Sequence, residues 1–177
     1  MADSLSGEEL IDTLNTHFDC LVPPVRDRGG ELLKCMVDGM LVIFPTGDGR
    51  SAASAAKCAL DAAFPARRNT ADINTERRYD GVPELAFGIA FNIGDIHYGN
   101  IGSEDRLDLT VIGPAVNLSD RMESIAADIG RDIVVSDELR RHLDTETEPL
   151  GEYTVKGFSK PVSIYAVPDT PSTGAAE

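Results

Sequence analysis

The sequence predicts an α/β or α+β domain built on a mixed sheet, and three observations point there. Runs with strand character alternate with runs of helical periodicity along most of the chain. Two β-rich runs, LLKCMV and MLVIF, flank Asp38-Gly39, the dipeptide that two-residue hairpin turns favour most. Gly113-Pro114 separates a strand-like run from an amphipathic one, as proline does when it opens a helix at its first turn.

Each element follows from local chemistry. Ser6 with Glu9 forms a capping box, and Leu10, Ile11, Leu14, Phe18, Leu21 and Val22 then recur at helical spacing. Pro23 and Pro24 are expected to end or kink that helix, with Gly29-Gly30 closing the segment. Residues 31–37 and 40–44 are expected as antiparallel strands. The alanine-rich run 50–67 is a helix whose small residues pack closely on a sheet. The polar stretch 66–84 reads as a loop. Residues 85–93 and 95–101 read as strands around Gly94, and 107–112 as a third. In the helix after Pro114, Val116, Met122, Ile125 and Ala126 fit one stripe. A short strand at 133–135 and a helix at 137–143 opened by Ser136 follow, then a hairpin of 152–155 with 162–167 around Gly157 and Pro161. The order is α, ββ, α, ββ, β, α, β, α, ββ. One domain over 1–168 is expected, with a tail at 169–177 of disordered composition.

Composition narrows the function. Of 177 residues, 42% are apolar and 26% charged, an ordinary globular balance. Sixteen basic against thirty acidic residues leave a net charge of −14, which opposes nucleic-acid or anionic-membrane binding, since both need a cationic surface. An anionic ligand must then be held by a few local cations. No run of about eighteen apolar residues suggests a membrane span, and the acidic start does not read as a signal peptide. Cys20, Cys35 and Cys58 follow neither a disulfide nor a zinc pattern, so a reduced, cytoplasmic setting is expected. His17, His97 and His142 are too widely spaced for a helical metal pair.

Three constellations carry chemistry. Asp38 sits at a hairpin tip, where a plain turn residue is the bland reading. Lys34 is four residues earlier, so alternation projects both to one side. A lysine inside LLKCMV needs a reason, because its charge is otherwise desolvated; an edge strand with a snorkelling stem supplies the bland one. Asn117 and Arg121, at i and i+4 of the helix after Pro114, share a face. They form either a solvated stripe or, with Val116 and Leu118 placing Asn117 near the buried side, a clamp for an oxyanion or phosphate. Thr110 lies on the strand before them. Lys156 precedes Gly157 at a hairpin, where a solvated turn lysine is the bland alternative.

The segments GGELLKCMVDGMLVIFP, LAFGIAFNIGDIHYGNIGSEDRLDLTVIGPAVNLSDRME, IVVS and LGEYTVKGFSKPVSIYAV, with the opening SGEELIDTLNTHFD helix, resemble the catalytic domain of the class III nucleotidyl cyclases, in family order over almost the whole chain. The resemblance implies an α+β sandwich of ferredoxin-like cyclase type, with helices on a mixed, mostly antiparallel sheet. It implies an adenylate-type domain of the phosphorus–oxygen lyase class, turning ATP into 3′,5′-cyclic AMP and pyrophosphate in intracellular signalling. Two Mg²⁺ or Mn²⁺ ions assist, and sites form between two chains, in a homodimer or with a second cyclase chain. By the same resemblance Lys34 and Thr110 read the purine, and lysine, a donor only, suits adenine N1. Asp38 is one metal ligand, Asn117 positions the ribose, Arg121 stabilises charge on the α-phosphate, and Lys156 holds the terminal phosphates.

Three departures from the family pattern shape the expectation. The family's opening strand, with the first metal aspartate, and its phosphate-cradling loop would fall before Met1. Ala86 stands where many relatives carry a phosphate-contacting arginine, and Val37 where glycine usually precedes the hairpin aspartate. A weak or inactive cyclase is therefore expected, with an exposed sheet edge that a partner strand, a shifted helix or a dimer contact must cover. The alternative is a non-catalytic cyclase-homology module that binds nucleotide, or lends its purine and transition-state residues to a partner chain.

Overall fold

The computed structural model describes residues 6–36, 39–47, 49–103 and 106–168. The predicted order of elements appears in full. The chain forms two compact units, Met1–Phe87 and Gly88–Glu177. The predicted tail at 169–177 lies outside the described residues.

In the first unit, helix α1 spans Gly7–Asp27. Ser6 caps it: the hydroxyl accepts from the Glu9 amide, and the Glu9 carboxylate accepts from the Ser6 amide at 2.8 Å. The expected break at Pro23-Pro24 does not occur, and both prolines lie inside the helix. Pro24 cannot donate to Cys20, four residues back. Asn69 Nδ2 donates to the Cys20 carbonyl instead, at 3.2 Å, so the helix continues.

Strands β1 (Glu31–Cys35) and β2 (Met40–Ile43) pair antiparallel as expected, and Met36 N–H donates to the Gly39 carbonyl beside the hairpin tip. Helix α2 runs Ala52–Tyr79, capped by Ser51. Its alanines 55, 56, 59, 62, 63 and 66 are all buried, but the helix packs chiefly on α1 rather than on a sheet as expected. The helix also continues through most of the stretch expected as a loop. Thr70 is buried there with its hydroxyl on the Ala66 carbonyl. Ile73 packs on the cluster of Cys20, Leu21 and Ala66, as do Met40 and Phe87. Arg77 donates to the Pro83 carbonyl and to the Thr13 hydroxyl of α1. Asn69, Asn74 and Arg77 of this stretch are thus tertiary fasteners on a helix. Gly81, at φ 71°, ends it with a left-handed turn.

The second unit begins with β3 (Ile89–Phe91), shorter than the strand expected over 85–93. β4 (His97–Ser103) and β5 (Arg106–Ile112) form a two-stranded antiparallel ribbon. Helix α3 spans Pro114–Asp128, with proline in its first turn as predicted. Then come β6 (Ile133–Ser136), the single turn α4 (Asp137–Arg140) capped by Ser136, β7 (Glu148–Tyr153) and β8 (Val162–Ala166). β3, β6, β8 and β7 form one mixed sheet in that order, parallel between β3 and β6 and antiparallel elsewhere. Among the described residues the strands fall into one four-stranded sheet and two two-stranded ones. All four residues of β6 are buried. Helix α3 lays Met122 and Ala126 on Val134 and Ile164, with Ala90, Leu118 and Ile125 around them. Among the described residues no helix is long and apolar enough to cross a membrane.

Candidate functional site

Lys34 stands on β1 with its side chain exposed. The ladder pairs Leu32 with Val42 but Lys34 with Leu41, so Leu33 is an extra residue in a β-bulge. A bulge reverses the alternation on one side of itself. Lys34 therefore shares a face with Leu41 and, beyond the bulge, with Glu31 and Ile43 rather than with Leu32. Its exposure places the ammonium in water, so the desolvation argued from its apolar run does not arise. Asp38, expected on the same side, lies outside the described residues, as does Val37.

Thr110 occupies β5 directly across from Gly99 of β4; its side chain is not among those described. Asn117 and Arg121 stand one turn apart on α3, and both are exposed. This corrects the expectation that Asn117 sits near the buried side. Val116 and Leu118 are half-buried, but the helix turns Asn117 outward between them. Arg121 keeps a loose ion pair, 3.9 Å, with the adjacent Asp120. Such an exposed pair contributes little, so the guanidinium is available to a ligand. Lys156 is exposed in the turn between β7 and β8, beside Gly157 at φ 93°. Buried Val155 anchors that turn, and its carbonyl accepts from the Phe158 amide.

The structure brings Asn117 and Arg121 together on one helical face. Among the described residues, no hydrogen bond or ion pair joins either to Lys156, and Lys34 belongs to the other compact unit. An amide and a guanidinium at this spacing, with Cβ atoms about 5–6 Å apart, present donors and one acceptor to a single bound group. That suits a sugar hydroxyl beside a phosphate oxygen. Among the described residues no three of His, Cys, Asp and Glu gather where a cation could be held.

The start of α3 carries contacts that the sequence reading passed over. Asn92, the residue after β3, donates from Nδ2 to the Ala115 carbonyl at 3.2 Å. A Cβ on Gly94 would come within 2.9 Å of the Ala115 methyl, and one on Gly113 within 2.9 Å of the Asp95 carbonyl. The readable signal was a lone amide at the end of an apolar run, two residues before a glycine.

Similarity to known proteins agrees with this architecture. The family model described as the Adenylate and Guanylate cyclase catalytic domain matches residues 1–168. An adenylate cyclase of Anabaena cylindrica is 28% identical over 176 residues, which covers 94% of this chain and 34% of that protein. The chain spans about a third or less of the length of the first curated relatives it matches. The crystal structure of the adenylyl cyclase CyaB from P. aeruginosa superposes with a TM-score of 0.82 at 28% identity, covering 97% of this chain and 88% of that one. The crystal structure of the guanylyl cyclase Cya2 superposes with a TM-score of 0.79 at 27% identity, covering 98% and 87%. With the family model spanning nearly the whole sequence and the fold shared with both cyclases, the chain belongs to the adenylate and guanylate cyclase catalytic domain family.

Proposed function

We propose that this domain acts on ATP, forming 3′,5′-cyclic AMP and pyrophosphate. The observation that carries the proposal is the exposed pair Asn117 and Arg121 on one face of α3. In the reaction the ribose 3′-oxygen bonds to the α-phosphorus, its proton leaves to solvent, and the bond from that phosphorus to the pyrophosphate oxygen breaks. Asn117 orients the ribose, and Arg121 faces the charge that grows on the α-phosphate oxygens, where a fixed guanidinium lowers the barrier. Lys156 meets the terminal phosphates.

The base preference rests on Lys34 and Thr110. Overall likeness does not choose a base, since an adenylyl and a guanylyl cyclase structure match almost equally well. An ammonium only donates, and adenine N1 accepts where guanine N1 carries a proton. A site completed by a second chain, in a homodimer or with another cyclase chain, belongs to this reading through the family. Divalent ions, Mg²⁺ or Mn²⁺, belong to this reading through the family, with Asp38 as the ligand this chain would offer. A cytoplasmic setting belongs to it as well, with Cys20, Cys35 and Cys58 all free thiols.

The departures from the family pattern, with Ala86 where many relatives carry a phosphate-contacting arginine and Val37 before the hairpin aspartate, favour a second reading. In it the domain binds ATP or another nucleotide without turning it over, or lends Lys34, Thr110, Asn117, Arg121 and Lys156 to a complete partner chain. One experiment separates the two: cyclic nucleotide formation from ATP and from GTP with Mn²⁺, alongside calorimetric binding of a non-hydrolysable ATP analogue. Cyclic AMP that disappears in Asp38→Ala and Arg121→Ala supports catalysis. Binding without turnover supports the second reading, and neither binding nor turnover sinks both.

A further inference from the structure

We propose that Asn92 is a positioning residue for the proposed nucleotide site, setting where the first half of α3 lies and hence where Asn117 and Arg121 stand; the inference rests on the function proposed above. The buried residues of α3, Met122 and Ala126, both fall in its second half. That half is fixed by packing on Val134 of β6 and Ile164 of β8. The first half, which carries Asn117 and leads to Arg121, contains no buried residue. Its N-cap, Gly113, has no side chain with which to bind the free amides.

Leu118 packs partly on that cluster, and the first turn before it is held by the connection leaving β3. Half-buried Phe91, the last residue of the edge strand β3, pairs with buried Val135 of β6, and Asn92 follows directly from that paired strand end. Its Nδ2 donates to the Ala115 carbonyl, which also accepts from the Ser119 hydroxyl at 3.1 Å. Beside this bond, Gly94 lets the Ala115 methyl approach closer than any side chain would allow, and a Cβ on Gly113 would meet the Asp95 carbonyl equally closely. One directed bond and two close approaches together define the height and rotation of the first turn. A helix released here would pivot about Met122. Asn117 lies more than a turn from that pivot, and Arg121 next to it, so the ribose contact moves more than the phosphate contact. Small misplacements of a positioning group slow chemistry strongly while leaving binding by distant groups in place.

The test uses the whole chain and two independent disturbances. Asn92→Ala removes the donor. Gly94→Ala pushes Ala115 away, and Ala115→Gly in the same chain restores the space. Two readouts follow: the side-chain amide resonance of Asn117 with exchange rates of the 115–119 amides, and kcat and KM for ATP. The expected result is a shifted Asn117 resonance and faster exchange in both single variants, unchanged protection in β6 and β8, and recovery in the Gly94→Ala/Ala115→Gly pair. Where the wild type turns over, kcat falls about ten- to a hundredfold with KM little changed. Unaltered Asn117 resonance and 115–119 exchange in both single variants would overturn the inference. A wild type that neither binds nor turns over nucleotide defeats the functional reading alone, because resonance and exchange still decide whether Asn92 sets the helix.

Discussion

Asn69 of α2 donates to the carbonyl of Cys20 in α1, the group that Pro24 leaves without its intrahelical donor. The bond crosses between two helices and repairs a defect inside one of them. It compensates the second of the two consecutive prolines that α1 carries without ending.

Removing the repair should therefore cost more than an ordinary surface change. Asn69→Ala leaves a half-buried carbonyl unsatisfied, and a loss of about 1–3 kcal/mol is expected in urea unfolding. Pro24→Ala returns an N–H to the helix. In that background the cost of Asn69→Ala should shrink by more than half, a coupling that a double-mutant cycle reads directly. Equal costs in both backgrounds would show that Asn69 stabilises the chain by some other route.

The same kind of long-range amide limited what could be read from the sequence. Asn74 grips Leu85 twice: Nδ2 donates to the Leu85 carbonyl at 2.9 Å and Oδ1 accepts from its amide at 2.7 Å. The polar residues after Arg67 resemble a loop in composition, yet Asn69, Asn74, Arg77 and Arg78 each fasten α2 to another part of the chain. Leu85, although apolar and followed by strand-like residues, is withdrawn from the sheet because its backbone is already bonded to a side chain. Local signals with local partners were legible: the Ser6 capping box, the proline start of α3, the Ser136 cap and the continuous apolar run of β6. The bulge at Leu33 was not, because it reflects pairing with β2 rather than anything in LLKCMV itself. At the proposed site, the spacing of Asn117 and Arg121 was readable, but the outward turn of Asn117 depends on how Met122 and Ala126 seat the helix.

Lys34 offers a test of base choice that is separable from folding. Its side chain is exposed, so Lys34→Glu should leave stability within about 0.5 kcal/mol. A carboxylate accepts where the ammonium donates, so preference should move from ATP toward GTP, read as the ratio of binding constants for the two nucleotides. Wild-type protein that binds both equally, with no change in the variant, would remove Lys34 from the purine site.

Arg121 should separate activity from stability even more sharply. It is exposed, and its pair with Asp120 is loose, so Arg121→Ala should leave the unfolding midpoint nearly unchanged. If it meets the α-phosphate in the transition state, turnover should fall about a hundred- to a thousandfold. Arg121→Lys should recover little, since a single ammonium does not reproduce the planar fork. A lysine variant with full activity would mean that only the positive charge matters there.

The pH dependence of stability should carry the signature of His17. Burial in α1 beside Phe18 disfavours the imidazolium and holds the imidazole below its ordinary value of 6.5. Above that value the ring is neutral in both folded and unfolded chains, and nothing is lost. As pH falls through it, the unfolded chain takes up the proton first while the folded chain resists, so the unfolded state binds more protons and stability declines. The decline continues until the pH passes the lowered folded value, below which both states are charged and this contribution levels off. His17→Gln removes the titrating group and keeps a polar side chain. The difference in urea midpoint between wild type and variant should be constant above about pH 7 and drift against the wild type below 6.5. Carboxylates that titrate at lower pH are common to both proteins and cancel in that difference. Parallel curves across the whole range would mean that His17 takes up its proton as readily folded as unfolded.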